Sequence, residues 1–248
     1  VLNVFITDAP FPVELVKEAN IVINQIRIRN TENEEDDENF ITIMEQSIEL
    51  NLLELRNGLV GQVASTELPQ GAYDHLRLHI TDAEIILKNG DQYSLKVPSG
   101  NASGLKVIVE PAIEVVGGLT TELILDFDVS KSFVLQGNMD TPAGIKGFIF
   151  KPVIRAANNS TSGVVAGKVT NSADSALYNS KVWIETDTIL TTAFTDSTGN
   201  YAILGVPADV YTAYSTKSGY DTAVFDDVQV IPANQTIVDF QIDSLNME

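Results

Sequence analysis

One pattern, which the chain carries twice, restricts its fold more than any other feature. Residues 68–80 read Leu-Pro-Gln-Gly-Ala-Tyr-Asp-His-Leu-Arg-Leu-His-Ile, and residues 206–216 read Val-Pro-Ala-Asp-Val-Tyr-Thr-Ala-Tyr-Ser-Thr. Each copy has an apolar residue, a Pro and a short turn, and a Tyr then enters an alternating segment. Because Pro cannot donate to a strand ladder, it closes the preceding segment. Two such copies predict two β-domains in tandem.

The segment after the first of these tyrosines alternates with a period of two, which is typical of a half-buried strand in an antiparallel sandwich. Its apolar side chains share one face: Leu76, Leu78 and Ile80. Its polar side chains share the other face: His75, Arg77 and His79. The Cα atoms of His75 and His79 are then about 13 Å apart, which is too far for one metal ion. We therefore predict a polar stripe here instead of a two-histidine metal site.

The charge of the chain excludes several classes of function. It has 15 Lys and Arg residues against 34 Asp and Glu residues, a formal net charge of −19. Such a charge argues against binding to nucleic acid or to an anionic membrane surface. The absence of Cys excludes disulfides and thiolate chemistry. The chain begins with Val1 instead of Met, so we expect a mature or trimmed product.

Turn-forming and polar residues divide the chain. Residues 156–163, Ala-Ala-Asn-Asn-Ser-Thr-Ser-Gly, are small and polar and predict a linker. We therefore predict one β-sandwich domain at residues 1–155 and a second at residues 164–248, where about seven short strands follow one another at sandwich spacing. Within the first domain, residues 13–19 are compatible with one or two turns of helix.

The second domain is similar to the carboxypeptidase regulatory-like, transthyretin-like domain family. The matching segments are Val165-Ala-Gly-Lys-Val169, Ser180-Lys-Val-Trp-Ile184, Thr195-Asp-Ser-Thr-Gly-Asn-Tyr201, Leu204-Gly-Val-Pro-Ala-Asp-Val-Tyr211 and Ser218-Gly-Tyr220. The resemblance implies a seven-stranded, immunoglobulin-like Greek-key sandwich without catalysis of its own. Asp209 stands where the family usually has Gly, so this turn is expected to differ from the family pattern.

The first domain resembles a bacterial lipoprotein family known as domain of unknown function 4382. The shared segments are Thr7-Asp-Ala-Pro10, Asn51-Leu-Leu-Glu-Leu-Arg-Asn-Gly58, Leu68-Pro-Gln-Gly-Ala-Tyr73, Leu76-Arg-Leu78, Val97-Pro-Ser-Gly100, Gly104-Leu-Lys106, Leu125-Asp-Phe-Asp-Val129 and Lys151-Pro-Val-Ile-Arg155. The resemblance implies a bacterial cell-envelope protein, anchored in the outer membrane by a lipid upstream of Val1 and either surface-exposed or periplasmic. It brings no active site with it.

Asp126 and Asp128 are the candidate metal ligands. They flank Phe127 in a strand whose apolar residues alternate toward the core, so their carboxylates are expected to point the same way, about 6.6 Å apart at Cα. Carboxylate oxygens suit calcium, and a calcium site is one interpretation. The other is a polar outer face without a ligand.

Trp183 and Tyr214 are the candidate ligand-binding residues. Val182 and Ile184 occupy positions that the family turns inward, so Trp183 is expected to face outward. Tyr214 faces outward by the same argument, because Tyr211 and Ala213 face inward. Two exposed aromatic rings form a natural platform for a sugar or an anchor for a protein partner. Coverage of Trp183 by a loop or by the first domain is the alternative.

We therefore predict an all-β chain of two tandem antiparallel sandwiches that binds or displays at the cell surface, in adhesion or ligand recognition, without catalysis. A surface glycan or another envelope protein is the expected partner, and calcium is the one cofactor considered. Two alternatives stay open. One is a glycan-binding accessory protein of a polysaccharide-use system, and the other is a hydrolase that uses the carboxylates of Asp126 and Asp128.

Overall fold

A computed structural model describes residues 1–9, 15–33, 36–55, 58–97, 104–138 and 144–245. Its strands are β1 (Leu2–Ala9), β2 (Val16–Asn30), β3 (Phe40–Met44), β4 (Ile48–Asn51), β5 (Gly61–Thr66), β6 (Gly71–Leu87), β7 (Gln92–Leu95), β8 (Leu105–Val115), β9 (Thr121–Asp128), β10 (Phe133–Gly137), β11 (Ile145–Phe150), β12 (Ile154–Asn158), β13 (Ser162–Thr170), β14 (Lys181–Glu185), β15 (Ile189–Phe194), β16 (Asn200–Pro207), β17 (Val210–Thr216), β18 (Ala223–Gln229), β19 (Gln235–Ile237) and β20 (Phe240–Gln241). The one α-helix in this described part is α1 (Val129–Ser132), and short 3-10 turns cover Asp37–Asn39 and Leu52–Glu54. Over the described residues, no helix has the length and apolar character to span a membrane.

The chain forms two compact units. The first unit comprises Val1–Leu55 and Val60–Ala157, and the second comprises Arg56–Leu59 and Asn158–Glu248. Each unit has its own cluster of buried apolar side chains. The prediction of an all-β fold with two tandem sandwiches is confirmed.

The first unit places three sheets around one core. One sheet has the strand order β12-β9-β1-β5, and a second has the order β3-β2-β6-β7, with β4 joined to β2 and β8 joined to β6. The third pairs β10 with β11. The longest strand, β6, follows the predicted alternation, because Leu76, Leu78 and Ile80 are all 0% exposed. The buried sides of the three sheets supply the core, and the opposite sides of the two larger sheets carry the polar residues discussed below.

Both units contain parallel strand pairs that the sequence does not predict. In the first unit, β1 runs parallel to β9, with Val4 opposite Leu123 and Ile6 opposite Leu125. In the second unit, β13 runs parallel to both β19 and β20. Each pairing joins strands that are distant in the chain, so no turn residue marks it. Antiparallel pairings, as predicted, join β1 to β5, β10 to β11, β13 to β16, the strands β14, β15, β17 and β18 of one sheet, and the strands β2, β3, β4, β6, β7 and β8 of another.

The second unit also has two sheets. One has the order β16-β13-β19, with β20 also on β13, and the other has the order β15-β14-β17-β18. Inward side chains alternate along the central strands, and Val182, Ile184 and Ala213 are all 0% exposed. The alternate residues of β14 and β17 face outward, and this outer side holds the candidate ligand-binding residues.

Two sequence expectations for local structure are wrong. Residues 156–163 are not a linker over their whole length, since β12 continues to Asn158, β13 begins at Ser162, and Ala156 and Ala157 are each 8% exposed. A small side chain suits a packed strand as well as a linker, so composition does not separate the two. Residues 16–19 of the expected helical turn instead begin the long strand β2, and residues 13–14 lie outside the described residues.

The repeated sequence pattern forms the same device in both units. The Tyr73 hydroxyl donates to the Pro69 carbonyl oxygen at 3.0 Å, and the Tyr211 hydroxyl donates to the Pro207 carbonyl oxygen at 3.0 Å. The two rings are buried, at 0% and 5% exposure. Each tyrosine thus buries its ring in the core and ties down the turn that precedes its strand, in the manner of a tyrosine corner.

Candidate functional site

Trp183 lies on the outer side of β14. Its neighbours in the strand, Val182 and Ile184, are 0% exposed, while Trp183 itself is half-buried. The period of two fixes this orientation, because a residue between two core residues of a strand points to the opposite side of the sheet. The outward orientation inferred from the sequence is therefore the one observed.

Tyr214 lies directly opposite Trp183 on the neighbouring strand β17. Their rings stack, with centroids 5.0 Å apart and planes inclined by only 6°. A cross-strand aromatic pair of this kind contributes about 0.5–1.5 kcal/mol beyond the area it buries. Trp183 and Tyr214 thus contact each other directly. The sequence does not reveal this contact, because the register between β14 and β17 cannot be read from either strand alone.

Two charged side chains of β14 fix the aromatic pair. The Trp183 Nε1 donates to the Glu185 Oε2 at 3.2 Å. A hydrogen bond to Glu185 is also the largest cause that raises the pKa of the Tyr214 hydroxyl above its ordinary value, so this hydroxyl stays protonated and polar. On the other flank, the Lys181 Nζ lies 5.0 Å from the Trp183 ring centroid, within cation–π range. We call these four residues, Lys181, Trp183, Glu185 and Tyr214, the aromatic ridge.

The neighbouring strands extend the apolar character of the aromatic ridge. Thr192 of β15 lies opposite Trp183, and Val224 of β18 lies opposite Tyr214. Val224 is 52% exposed on this outer side, whereas its neighbour Phe225 lies opposite the inward Ala213 and belongs to the other side of the sheet. Because the rings stack on each other, one face of each ring is covered by the other. The outer surface here combines the stacked rings with one carboxylate and one ammonium group.

Asp126 and Asp128 do not form a common site. Asp126 is 7% exposed, and its Oδ2 accepts from the Arg155 guanidinium at 3.0 Å. Its neighbour on the same side of β9, Ile124, is 3% exposed, so this side of the strand is covered and is not the solvated outer face that alternation suggested. The carboxylate of Asp126 thus serves an internal ion pair.

Asp128 has a different structural task. Its Oδ1 accepts from the Lys131 backbone N–H at 3.1 Å and from the Ser130 hydroxyl at 2.6 Å, and it thereby caps the short helix α1. Its Oδ2 pairs with the Lys131 Nζ at 2.8 Å. The segment Asp128-Val-Ser-Lys131 is compatible with a helix cap, but the alternation of apolar residues around Phe127 predicts a strand and does not indicate the cap. No group of three or more His, Cys, Asp or Glu side chains comes together to hold a metal in the part of the chain that the structure describes.

The polar stripe on β6 contains a close ionic cluster. The Arg29 guanidinium donates to both carboxylate oxygens of Asp74, at 2.9 and 2.8 Å, and the His75 Nδ1 lies 2.7 Å from an Asp74 oxygen. Burial raises the pKa of the Asp74 carboxyl, but the hydrogen bonds from Arg29 and His75 outweigh burial, and the pKa is lowered overall. The carboxylate is therefore held in its charged form.

Family models match both parts of the chain. The model described as domain of unknown function (DUF4382) matches residues 1–152, and the model described as carboxypeptidase regulatory-like domain matches residues 164–243. Comparison with curated proteins gives no match.

Several solved structures are weakly similar. The minor pilin GBS52 of Streptococcus agalactiae shows 12% identity and a TM-score of 0.28, over 100% of this chain and 98% of the pilin chain. The Bacillus anthracis TIE protein shows 15% identity and a TM-score of 0.29, but the match spans 98% of this chain and only 34% of that protein. The 3-chlorocatechol 1,2-dioxygenase of Rhodococcus opacus 1CP shows 10% identity and a TM-score of 0.28, over 35% of this chain and 61% of the enzyme. These scores are too low to carry a functional argument.

The family matches agree with both resemblances seen in the sequence motifs. Neither family description names a catalytic activity. Since the first model covers more than half of the 248 residues, the chain belongs to the DUF4382 family, and it also carries a carboxypeptidase regulatory-like domain.

Proposed function

We propose that this chain is a non-catalytic recognition module of the bacterial cell envelope, and that its aromatic ridge docks another envelope protein. The observation that carries the proposal is the stacked pair of Trp183 and Tyr214 on the outer side of the second unit, at 5.0 Å and 6°. Aromatic residues held rigidly on a surface lose little entropy on binding, and they are enriched among the residues that dominate protein interfaces.

The ring geometry favours a protein partner over a glycan. A sugar stacks on the open face of an aromatic ring, but one face of Trp183 and one face of Tyr214 are turned toward each other. The Lys181 ammonium also lies over the indole ring, at 5.0 Å from its centroid. Stacked aromatic rings beside a carboxylate and an ammonium group, with the exposed Val224 on the same side, instead match the mixed character of a protein interface.

The geometry gives less support to the hydrolase alternative. Such a reaction requires two carboxyl groups that face one substrate. The Asp126 carboxylate is paired with Arg155 under a covered surface, and the Asp128 carboxylate caps α1. Both groups are thus engaged in contacts that stabilise the fold, and they act at different points of the structure.

The proposed location follows from the lipoprotein character that the sequence motifs suggest. A lipid anchor upstream of Val1 would hold the first unit at the outer membrane. The second unit would then be presented to other envelope proteins. Labelling whole cells with a membrane-impermeant lysine reagent, before and after outer-membrane permeabilisation, distinguishes surface exposure from a periplasmic location.

The aromatic ridge is tested at Trp183, the only Trp in the chain, through incorporated 5-fluorotryptophan. The labelled chain is titrated with detergent-solubilised, unlabelled envelope proteins while fluorine NMR follows the Trp183 resonance and its broadening by a soluble paramagnetic agent. We expect protection of this resonance, together with chemical cross-linking that falls at least about tenfold in Trp183→Ala and Tyr214→Ala. Tyr178→Ala is the matched control, because Tyr178 is 47% exposed on the same unit and lies outside the ridge.

Treatment of the envelope fraction separates the alternatives. Prior protease digestion should abolish protection if the partner is a protein. If protease has no effect and periodate oxidation of glycans abolishes protection, the glycan-binding alternative is correct and the protein-docking proposal fails. Equal cross-linking of Trp183→Ala and the unchanged chain would also contradict the proposal.

A further inference from the structure

The outer side of the first unit concentrates positive charge within a strongly acidic chain. Arg27 of β2 lies directly opposite Arg77 of β6, and Arg77 lies directly opposite Lys106 of β8. Three cations thus form a row across three adjacent strands, which are about 4.8 Å apart. The alternation of β6 predicts the polar stripe on that strand, but it does not predict this row, because the period of one strand does not determine its register with the next.

The neighbouring register pairs of β2 and β6 carry further basic side chains. Arg29 lies opposite His75, and Gln25 lies opposite His79. We call the outward residues Arg27, Arg29, His75, Arg77, His79 and Lys106 the basic face. It holds four of the 15 Lys and Arg residues of a chain with net charge −19. Arg29 is only 8% exposed and Asp74 neutralises it, so the ligand contacts are assigned to Arg27, Arg77 and Lys106. Glu45 lies at the margin, 3.4 Å from the Gln25 amide.

A row of like charges in direct register is destabilising by itself, and Phe40 offsets part of this cost. The Arg77 guanidinium carbon lies 4.4 Å from the Phe40 ring centroid, and that of Arg27 lies 5.7 Å away. Arg27 also donates to the Phe40 carbonyl oxygen at 3.3 Å. The buried Phe40 ring, 5% exposed, therefore holds the two guanidinium groups beside each other. This geometry orients their donors before any ligand arrives.

We propose that the basic face binds an acidic polysaccharide through the carboxylate groups of successive sugars. A guanidinium group presents a planar fork of donors that matches a carboxylate in two parallel hydrogen bonds. Arg27, Arg77 and Lys106 also interact within the chain, so a bound carboxylate joins or replaces those contacts. This binding surface lies on the first unit and is independent of the protein docking proposed for the aromatic ridge on the second.

The form and charge of the surface favour this polymer. The cations lie in rows across a sheet. This arrangement suits an extended polysaccharide, whose affinity comes from several modest contacts along its length. The net charge of −19 repels any polyanion at long range, and the repulsion grows with the charge density of the polymer. Double-stranded DNA carries one charge per about 1.7 Å, whereas a polymer with one carboxylate per sugar is less dense and is repelled less.

The test uses polygalacturonate as the probe and neutral dextran as its uncharged control, by titration calorimetry at low salt. We expect binding of polygalacturonate alone, weakening steeply as salt is raised. The double variant Arg77→Gln/Lys106→Gln should lose at least about tenfold in affinity and show a shallower salt dependence. Lys146→Gln/Lys168→Gln removes the same charge from exposed positions elsewhere and should bind as the unchanged chain does.

A second pair of variants keeps the proposal testable if the first one folds poorly. Lys106 is exposed, so Lys106→Glu should leave the fold intact and still reduce binding. Conversely, Asp36→Asn/Glu38→Gln removes exposed acids from the connection between β2 and β3 and should raise the affinity. Trp183→Ala should not change polygalacturonate binding, so failure of either proposal is distinguishable from failure of the other.

Several outcomes would overturn the proposal. One is the absence of binding at low salt, and another is equal binding by Lys106→Glu and the unchanged chain. Tighter binding of a single-stranded oligonucleotide than of polygalacturonate would assign the basic face to nucleic acid. Self-association that disappears in Lys106→Glu would assign it to a second copy of this acidic chain.

Discussion

Strand β6 of the first unit and strand β17 of the second both begin at a tyrosine corner, and they then present different chemistry to solvent. Tyr73 and Tyr211 each bind the carbonyl oxygen of a Pro four residues earlier, at 3.0 Å in both cases. Beyond the corner, the outward residues of β6 are His75, Arg77 and His79, whereas those of β17 are Thr212, Tyr214 and Thr216. The same device thus leads once into a basic face and once into an aromatic ridge.

This comparison separates what determines the fold from what determines recognition. The inward residues of both strands are buried, and apart from Ser215 of β17 they are apolar. The outward residues do not contribute to the core, so they are free to differ between the units. In β6 and β17, the inward face of the strand therefore determines the fold that the two units share. The outward face determines the binding chemistry, which differs between them.

The largest effect is expected when the corner tyrosines are truncated. Tyr73→Ala and Tyr211→Ala should each lower the free energy of unfolding of its own unit by about 3–5 kcal/mol, because a buried ring is lost. Urea unfolding followed by Trp183 fluorescence reports the second unit, and far-ultraviolet circular dichroism reports both. Tyr211→Ala should therefore shift both transitions, and Tyr73→Ala should shift only the transition seen by circular dichroism.

Tyr178→Ala provides the control for this comparison, since the Tyr178 ring is 47% exposed and its loss should change stability little. The prediction assumes that residues 1–155 and 164–248 fold independently. If Tyr73→Ala moves the Trp183 transition as far as Tyr211→Ala does, the two units unfold together and the assumed independence is wrong.

A smaller difference is expected between the turns that precede the two tyrosines. Gly71 has a φ of +151°, and a Cβ at this position would lie 2.5 Å from the Asn30 Nδ2. Gly71→Ala should therefore cost about 1–3 kcal/mol. Asp209, which occupies the position where the family usually has Gly, is not among the described residues with positive φ. Asp209→Gly should thus stay within about 1 kcal/mol of the unchanged chain.

Thermal unfolding of both variants measures this contrast. Gly58, with φ of +82°, is unsuitable as a control because its Cβ would contact Ala202 at 3.2 Å, whereas Gly90, with φ of +94° and open space around it, isolates the backbone effect. A Gly71→Ala variant no less stable than Gly90→Ala would show that crowding at the first corner is unimportant. A stabilising Asp209→Gly would show that the second turn is strained by its Asp.

The sequence predicted the features that depend on one strand at a time. The alternation of Leu76, Leu78 and Ile80 and the outward position of Trp183 are of this kind, because a period of two is a local property. Residues that lie next to each other across strands were not predicted. The stack of Trp183 on Tyr214 and the row through Arg27 and Arg77 depend on register between segments separated by many residues.

The sequence also did not predict which polar strand faces are buried instead of exposed to solvent. Alternation placed Asp126 on an outer face, but this face is buried and the Asp126 carboxylate pairs with Arg155. A period identifies two faces of a strand, and it does not say whether the polar face meets water or another segment. For the same reason, Ala156 and Ala157 were assigned to a linker although they pack within the fold.

The smallest expected effect concerns pH and again distinguishes the two units. The pKa of the Asp74 carboxyl is lowered in the folded chain, since the hydrogen bonds from Arg29 and His75 outweigh the effect of burial. A lowered folded pKa means that the charged carboxylate stabilises the first unit above the unfolded pKa of about 3.9. This contribution to the free energy of unfolding is lost as the pH falls through the folded pKa, and it should not exceed about 1 kcal/mol for a partly exposed pair.

The free energies of chemical unfolding of the unchanged chain and of Asp74→Asn should therefore differ most near pH 6, and the difference should shrink toward pH 3. Asp187→Asn, at an exposed position in the second unit, controls for the loss of one negative charge. A difference that stays constant from pH 6 to pH 3 would mean that the Asp74 carboxylate does not gain from Arg29 and His75, and that the Arg29 cation is balanced by other groups.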